Sequence, residues 1–234
     1  MILSINQPAY LPWIGYYQRI YKSDIHLILD DVQIELRTKY SFTNRNKIKS
    51  KNGFIYLTVP LETSKNKFPR INEAIIDNSQ NWKKKHLDSI KQCYSKSNFF
   101  EEFIHIFEDA FSPKKEWTCL IDLIDYFNDF FLNYLDLKNT KKIYKASEVP
   151  INFHKNELIL KYCEYFKTKK YLSGPLGINY LDQKTFKNRE IKVIFDEFKN
   201  YEYPQINGDF LSHMSIIDLL FNLGDKAKEY IYKV

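Results

Sequence analysis

Ile2-Leu3-Ser4-Ile5-Asn6-Gln7-Pro8-Ala9-Tyr10-Leu11-Pro12-Trp13-Ile14-Gly15-Tyr16, followed by Ile25-His26-Leu27-Ile28-Leu29-Asp30-Asp31, decides the fold. Residues 2–5 are a short apolar run, and Pro8, which lacks a backbone donor, ends strand pairing. Pro12 suits the first turn of a helix. From 13 to 21, Ile14, Tyr17 and Ile20 recur at helical spacing. Ser23-Asp24 breaks that helix, and residues 25–29 read as a buried strand ending in two acids. Strand, loop, helix and strand within about thirty residues make a βαβ unit, parallel and right-handed.

Outward from this unit, residues 37–51 carry Arg37, Lys39, Arg45, Lys47, Lys49 and Lys51 without an acid. Asn52-Gly53 signals a tight turn, and residues 54–59 form a strand closed by Pro60. Residues 62–70 read as loop and 71–76 as a further strand. Asn81 is placed to cap a helix over 82–94, and helical patterns recur at 99–110 and 116–135. The last of these sets Leu120, Leu123, Ile124, Phe127, Phe131 and Leu135 on one core-facing side. Residues 141–145 with Pro150 read as a connector and 156–166 as a helix. Residues 171–175 run from strand to loop, 191–195 form a strand, and Gly224 stops a final helix over 215–223. The expectation is an α/β fold with a mainly parallel sheet and a Rossmann-like βαβ start. One domain spans 1–234, with a helical subdomain at 80–135 inside it.

Aromatic residues make up 17% of the 234, which calls for a large filled core. Of the 35 cations, five are Arg (19, 37, 45, 70 and 189) and the rest Lys, and the net charge of +6 suits an anionic partner. Cys93, Cys119 and Cys163 match neither a disulfide framework nor a zinc spacing. With no apolar run of about 18 residues and no charged signal region, the chain is expected to be cytoplasmic, without membrane insertion. HExxH, GxSxG and GxxxxGK[ST] motifs are missing, so the sequence points to neither a zincin, a serine hydrolase nor a P-loop protein, and no metal site is read.

Ligands of open α/β sheets bind outside the carboxyl ends of the strands. Segments 7–15, 30–33 and 173–177 should arrive there. Gln7, Tyr10, Trp13 and Tyr16 offer an amide and aromatic faces for a base or sugar. Gly15 lets a group approach the helix N-terminus, where backbone amides suit a phosphate. The same residues also serve simply to shape a tight strand-to-helix turn. Asp30, Asp31 and Gln33 follow the second strand, where acids accept ribose hydroxyls, bind metal, act as a base or cap the strand. Asn44-Arg45 is the candidate phosphate clamp, since guanidinium forks onto two oxygens. His86 follows three lysines, which hold it neutral as a base or leave it an ordinary helical histidine.

Residues 7–16, Ser23-Asp24, Asp30-Asp31-Val32-Gln33, Asn44-Arg45-Asn46-Lys47-Ile48 and Leu57-Thr58-Val59-Pro60 resemble the WbqC-like family. So do Trp82 with Lys85-His86-Leu87, Tyr171-Leu172-Ser173-Gly174, Tyr203 with Gln205, and Ser215-Ile216-Ile217-Asp218-Leu219-Leu220 with Gly224. Members resemble proteins of bacterial surface-polysaccharide (O-antigen) gene clusters. The resemblance implies glycyl transfer to a nucleotide-linked amino sugar, forming an amide. His86, or else Asp30 or Asp31, would be the base. Gln7, Tyr10, Trp13, Gly15, Tyr16, Gln33, Asn44, Arg45, Ser173, Gly174 and Gln205 would bind substrate. No cofactor is read. The glycyl donor is open between a carrier thioester, glycine with ATP, and a charged tRNA, the last being the one nucleic acid expected. The alternative is a nucleotide-sugar or nucleic-acid binding module without catalysis. The βαβ start is also similar to that of HIGH-type nucleotidylyl transferases, with Trp13 and Tyr16 near the place of their histidines.

Overall fold

The computed structural model describes every residue except 37, 39, 40, 65, 200 and 234. Strand β1 (Ile2–Asn6), helix α1 (Ile14–Lys22) and β2 (Ile25–Ile28) form the expected βαβ unit. A hairpin, β3 (Arg45–Ser50) and β4 (Gly53–Thr58), leads into α2 (Trp82–Tyr94), α3 (Phe100–Ala110) and α4 (Leu120–Tyr134). Then follow β5 (Lys142–Lys145), α5 (Lys155–Tyr165), β6 (Lys170–Ser173), α6 (Gln183–Asn188) and β7 (Lys192–Phe195). Helices α7 (Ile216–Leu223) and α8 (Ala227–Tyr232) close the chain.

The main sheet runs β5-β2-β1-β6-β7, and every pair in it is parallel. Counted in chain order through this sheet, that is 3-2-1-4-5, the order of a doubly wound fold. Its switch point, where the order reverses, lies between β1 and β6. Alternation along β1 explains how both faces are covered. Leu3 and Ile5 join Ile25, Leu27, Leu160, Cys163 and Phe186 in one core, beneath α5 and α6. Ser4 faces the other way with His26, under α1, where Ser23 and Tyr16 meet them. A second core, rich in aromatics, fills the space between the loop after β1 and the helices. In it Phe107 stacks on Phe127 at 5.4 Å and Tyr94 on Phe221 at 4.9 Å.

Several boundaries differ from the sequence reading. Residues 142–145, read as a connector, are an edge strand paired with β2. Residues 71–76 hold a 3-10 turn (Ile71–Glu73) and isolated bridges rather than a strand. The basic stretch contains β3, and the short helices α6 and α8 carry too few residues to show a period. Asn81 stands at the N-cap of α2, but its side chain makes no capping bond. Gly224 ends α7 with φ of 55°, and a β-carbon there would lie 2.4 Å from the Phe99 ring.

Candidate functional site at the carboxyl edge of the sheet

The carboxyl ends of the strands deliver Asn6 and Gln7 after β1, Asp30 and Asp31 after β2, Ser173 and Gly174 at β6, and Asp196 after β7. Arg19 gathers three of these ends from its place on α1. Its Nη1 donates to Asn6 Oδ1 at 2.5 Å and its Nε to Asp196 Oδ2 at 3.2 Å. A β-carbon on Gly174 would sit 3.1 Å from both terminal nitrogens, so a side chain there would push the guanidinium back by a few tenths of an ångström. Lys22 donates to the other Asp196 oxygen at 2.8 Å. Two cations thus meet one carboxylate, and this cluster of three side chains keeps a net positive charge. Sequence reasoning passed over Arg19. The available signal was its rarity among the cations and its place one turn beyond Gly15.

Beneath Arg19 lies a row of buried polar groups. Ser23 Oγ donates to the Ile20 carbonyl at 2.9 Å and Ser4 Oγ to Ser23 Oγ at 2.9 Å, which leaves Ser4 accepting from His26 Nδ1 at 2.7 Å. The relay fixes the His26 proton on Nδ1 and leaves Nε2 as an acceptor. Burial, then the Arg19 charge, lowers the His26 pKa to about 3, so the ring is neutral. His26 Nε2, Tyr16 OH and Asn6 Nδ2 are buried and have no hydrogen-bond partner among the described residues.

The two acids after β2 divide their work. Asp30 is buried, with Oδ1 accepting from the Ser147 amide at 2.9 Å and Oδ2 from Ser147 Oγ at 2.7 Å. It fastens the turn after β5 to the end of β2, with both oxygens occupied. Asp31 is half-buried, and its Oδ1 has no partner among the described residues. Burial and then the Asp30 charge raise its pKa, against its own backbone hydrogen bond and Arg70. Gln33 is exposed and donates to the Phe68 carbonyl at 3.1 Å.

Other expected site residues turn inward. Tyr10 is fully buried against Phe127 and offers no face to a base. Its OH lies 2.9 Å from His86 Nδ1, and His86 Nε2 lies 3.1 Å from the Thr58 carbonyl. A carbonyl only accepts, so Nε2 carries the proton and Nδ1 accepts from Tyr10. Burial lowers the His86 pKa to about 4, the Thr58 bond opposing it. With 4% exposure and both nitrogens occupied, His86 joins α2 to β4 and has no free atom for a proton from substrate. Arg45 pairs across the hairpin with Thr58, donates to the Thr38 and Ser41 carbonyls, and lies over the Tyr56 ring at 4.6 Å. It therefore neighbours His86 through Thr58, away from the strand ends. Asn44 donates to the Val59 carbonyl at 2.9 Å.

Gly15 admits a close approach, but by the protein itself. A β-carbon there would lie 2.6 Å from Trp13 Nε1 and 2.8 Å from Phe198. Trp13 also packs on Phe42 and Tyr16, which is buried. Ser173 Oγ donates to the Gly174 carbonyl at 3.2 Å. Gln205 is tied to Leu211 and to the buried carboxylate of Asp218, which also accepts from Tyr94 and Tyr203. Gln7 is exposed at the end of β1. So the structure brings Gln7, Asp31, Ser173 and Gly174 to the carboxyl edge with Arg19, and keeps Tyr10, Asn44, Arg45, His86 and Gln205 away from it. Among the described residues no group of three or more His, Cys, Asp or Glu is placed to hold a metal ion. No helix among them is long and apolar enough to cross a membrane.

The strand order, reversing between β1 and β6, defines a doubly wound α/β protein. The model of the WbqC-like protein family matches residues 7–230, and the chain belongs to that family. It is 30% identical over 233 residues to "Uncharacterized protein Rv1507c" of Mycobacterium tuberculosis, covering 98% of this chain and 96% of that one. No solved structure matches the chain.

Proposed function

We propose that the protein acylates a nucleotide-linked amino sugar, most simply with a glycyl group, at the carboxyl edge of its sheet, in surface-polysaccharide synthesis. The observation that carries this reading is Arg19, a guanidinium fixed at the ends of β1, β6 and β7 and outnumbering its carboxylate partner with Lys22. Such a cation suits the diphosphate of a nucleotide sugar. Asp31, at the end of the neighbouring strand, is the base. It takes one proton from the sugar ammonium, and its raised pKa narrows the gap between donor and acceptor. The amine nitrogen then attacks the glycyl carbonyl, the N–C bond forms, and the bond to the donor's leaving group breaks. The second amine proton leaves with that group. Gln7 and the backbone amide of Gly174, both at the strand ends, bind the acyl oxygen.

Mass spectrometry of the protein incubated with nucleotide-linked amino sugars tests this. The donors are glycine with ATP, a glycyl thioester and glycyl-tRNA. A glycyl mass increment on the sugar with one of them is expected. Folded protein that acylates no sugar across the panel would overturn the reading. The alternative, a binding module without catalysis, draws its support from the exposed basic hairpin.

A further inference from the structure

The outer face of the β3–β4 hairpin is a feature of the surface that the proposed transfer site does not use. Its register sets Arg45 opposite Thr58, Lys47 opposite Tyr56 and Lys49 opposite Phe54. The alternate residues Asn46, Ile48 and Leu57 are buried against the core, and Lys49 is buried too, its Nζ donating to the Gly208 carbonyl at 2.9 Å, so Arg45 and Lys47 are the β3 cations that share the outer face with the rings. Phe54 is 48% exposed and Tyr56 41% exposed, an unusual cost for a strand with no apolar neighbour above it. Arg45 lies over Tyr56 at 4.6 Å, and Lys47 over Phe54 at 5.1 Å.

This face continues toward the transfer site. Phe54 and Tyr56 are 5.6 Å apart. Lys47 is near enough to the exposed His213 to act on its charge. His213 lies 5.1 Å from Phe198, and Phe198 lies against Gly15 at the start of α1. A track of rings and cations therefore runs from the hairpin to the first turn of α1, beside the carboxyl edge. On the other side, Tyr56 borders a groove of about 510 Å³ whose lining includes Gln80, Lys85, Ser89 and Gln92, with amides and a hydroxyl that suit base edges and ribose hydroxyls, and Asp88, whose carboxylate is paired with Lys84.

We propose that this track binds a single-stranded RNA end, with bases on Phe54 and Tyr56, phosphates on Arg45 and Lys47, and the strand directed toward the start of α1. The rings stand at 88° to each other, so the two bases are splayed apart, as in recognition of unpaired RNA. Sequence-tolerant stacking combined with cations along a groove is the chemistry of single-strand binding. The stretch 37–51 that supplies the cations of this face holds no acid to neutralise them from within. The proposal rests on the acyl-transfer reading only for its purpose, delivery of a donor carried on RNA. Its test reads binding and not activity, so the two fail separately.

Fluorescence anisotropy with a labelled single-stranded RNA of about 12 nucleotides is the measurement, run at two salt concentrations. The intact protein should bind it more tightly than the same sequence as duplex RNA or as single-stranded DNA. The double variant Phe54→Ala/Tyr56→Ala, at exposed positions that folding does not need, should weaken binding roughly tenfold or more. Lys47→Ala should lower the slope of log affinity on log salt by about 0.7. Lys192→Ala, on the edge strand β7 of the main sheet, should change neither. Equal affinity for single-stranded DNA, no loss in the double variant, or an equal loss in Lys192→Ala would overturn the proposal. So would a dimer that the double variant dissolves in size-exclusion chromatography, since the face would then join two copies of the chain.

Discussion

Arg19 does two things at once, and the balance between them can be measured. Its guanidinium neutralises Asp196 together with Lys22, and it holds Asn6 at the end of β1. Removing it leaves a buried carboxylate with one cation and Asn6 with fewer partners. Arg19→Ala should therefore cost stability as well as ligand affinity. Arg19→Lys keeps the charge but loses the fork, because one ammonium cannot reach Asn6 and Asp196 in the same geometry. In calorimetry with a nucleotide-linked amino sugar, Arg19→Lys should weaken binding by about 1.5–3 kcal/mol, the scale of a charge-assisted hydrogen bond. A nucleoside without phosphates should show little difference between the two proteins. Equal losses for both ligands would assign Arg19 to the fold alone. Asp31 differs from Asp30 in the same physical terms: one oxygen without a partner against two bonded to Ser147. Two adjacent acids look alike in a sequence, and their separation depends on Ser147, which β5 brings from 117 residues away.

At the scale of elements, α2, β4 and the loop after β1 are joined through one imidazole. His86 accepts from Tyr10 and donates to Thr58, and this arrangement needs the neutral ring. Its folded pKa, near 4, lies below the ordinary value of 6.5. Between those values the unfolded chain binds the extra proton, so stability rises with pH and is lost as pH falls from about 6.5 toward 4. His26 adds to the same trend, its pKa being lowered to about 3. Urea midpoints at pH 7 and pH 5 should show wild type losing stability on acidification. His86→Phe should be less stable by about 1–3 kcal/mol at pH 7, because it strands the Tyr10 hydroxyl and the Thr58 carbonyl. The gap from wild type should narrow at pH 5, since the variant has no such proton to take up. Parallel pH profiles for the two proteins would contradict this account of His86.

The same scale shows why some elements were readable and others were not. β1 and β2 are short runs, mostly apolar and bounded by Pro8 and by acids, and they lie where expected. Helix α2 spans the residues its period indicated. β3 alternates Arg45 and Lys47 with the buried Asn46 and Ile48, and the charges hide that period of two, which the buried Lys49 then breaks. β5 is short, with Lys142 and Lys145 at its ends, as suits an edge that must not pair with another chain. Such a strand has too little apolar pattern to be read.

Across the whole molecule, the parallel sheet follows from its first thirty residues, because a βαβ start commits the chain to a covered sheet. The position of the ligand crevice does not. It depends on β6 returning beside β1 and β7 beyond it, which brings Asp196 to Arg19 across 177 residues of chain. His86 and Arg45 carried chemistry in the sequence because both are polar and sit near basic residues. In the fold they meet around Thr58, where one supports the core and the other faces outward on the hairpin. The central claim is that a nucleotide-linked amino sugar sits at the carboxyl edge of the sheet with its diphosphate on Arg19. A crystal structure of the protein soaked with such a sugar tests it directly. The account predicts phosphate oxygens within hydrogen-bond distance of the Arg19 guanidinium at the ends of β1 and β6, with the sugar amine toward Asp31. A diphosphate bound instead beside Arg45 and His86, with the carboxyl edge free of ligand, would contradict it.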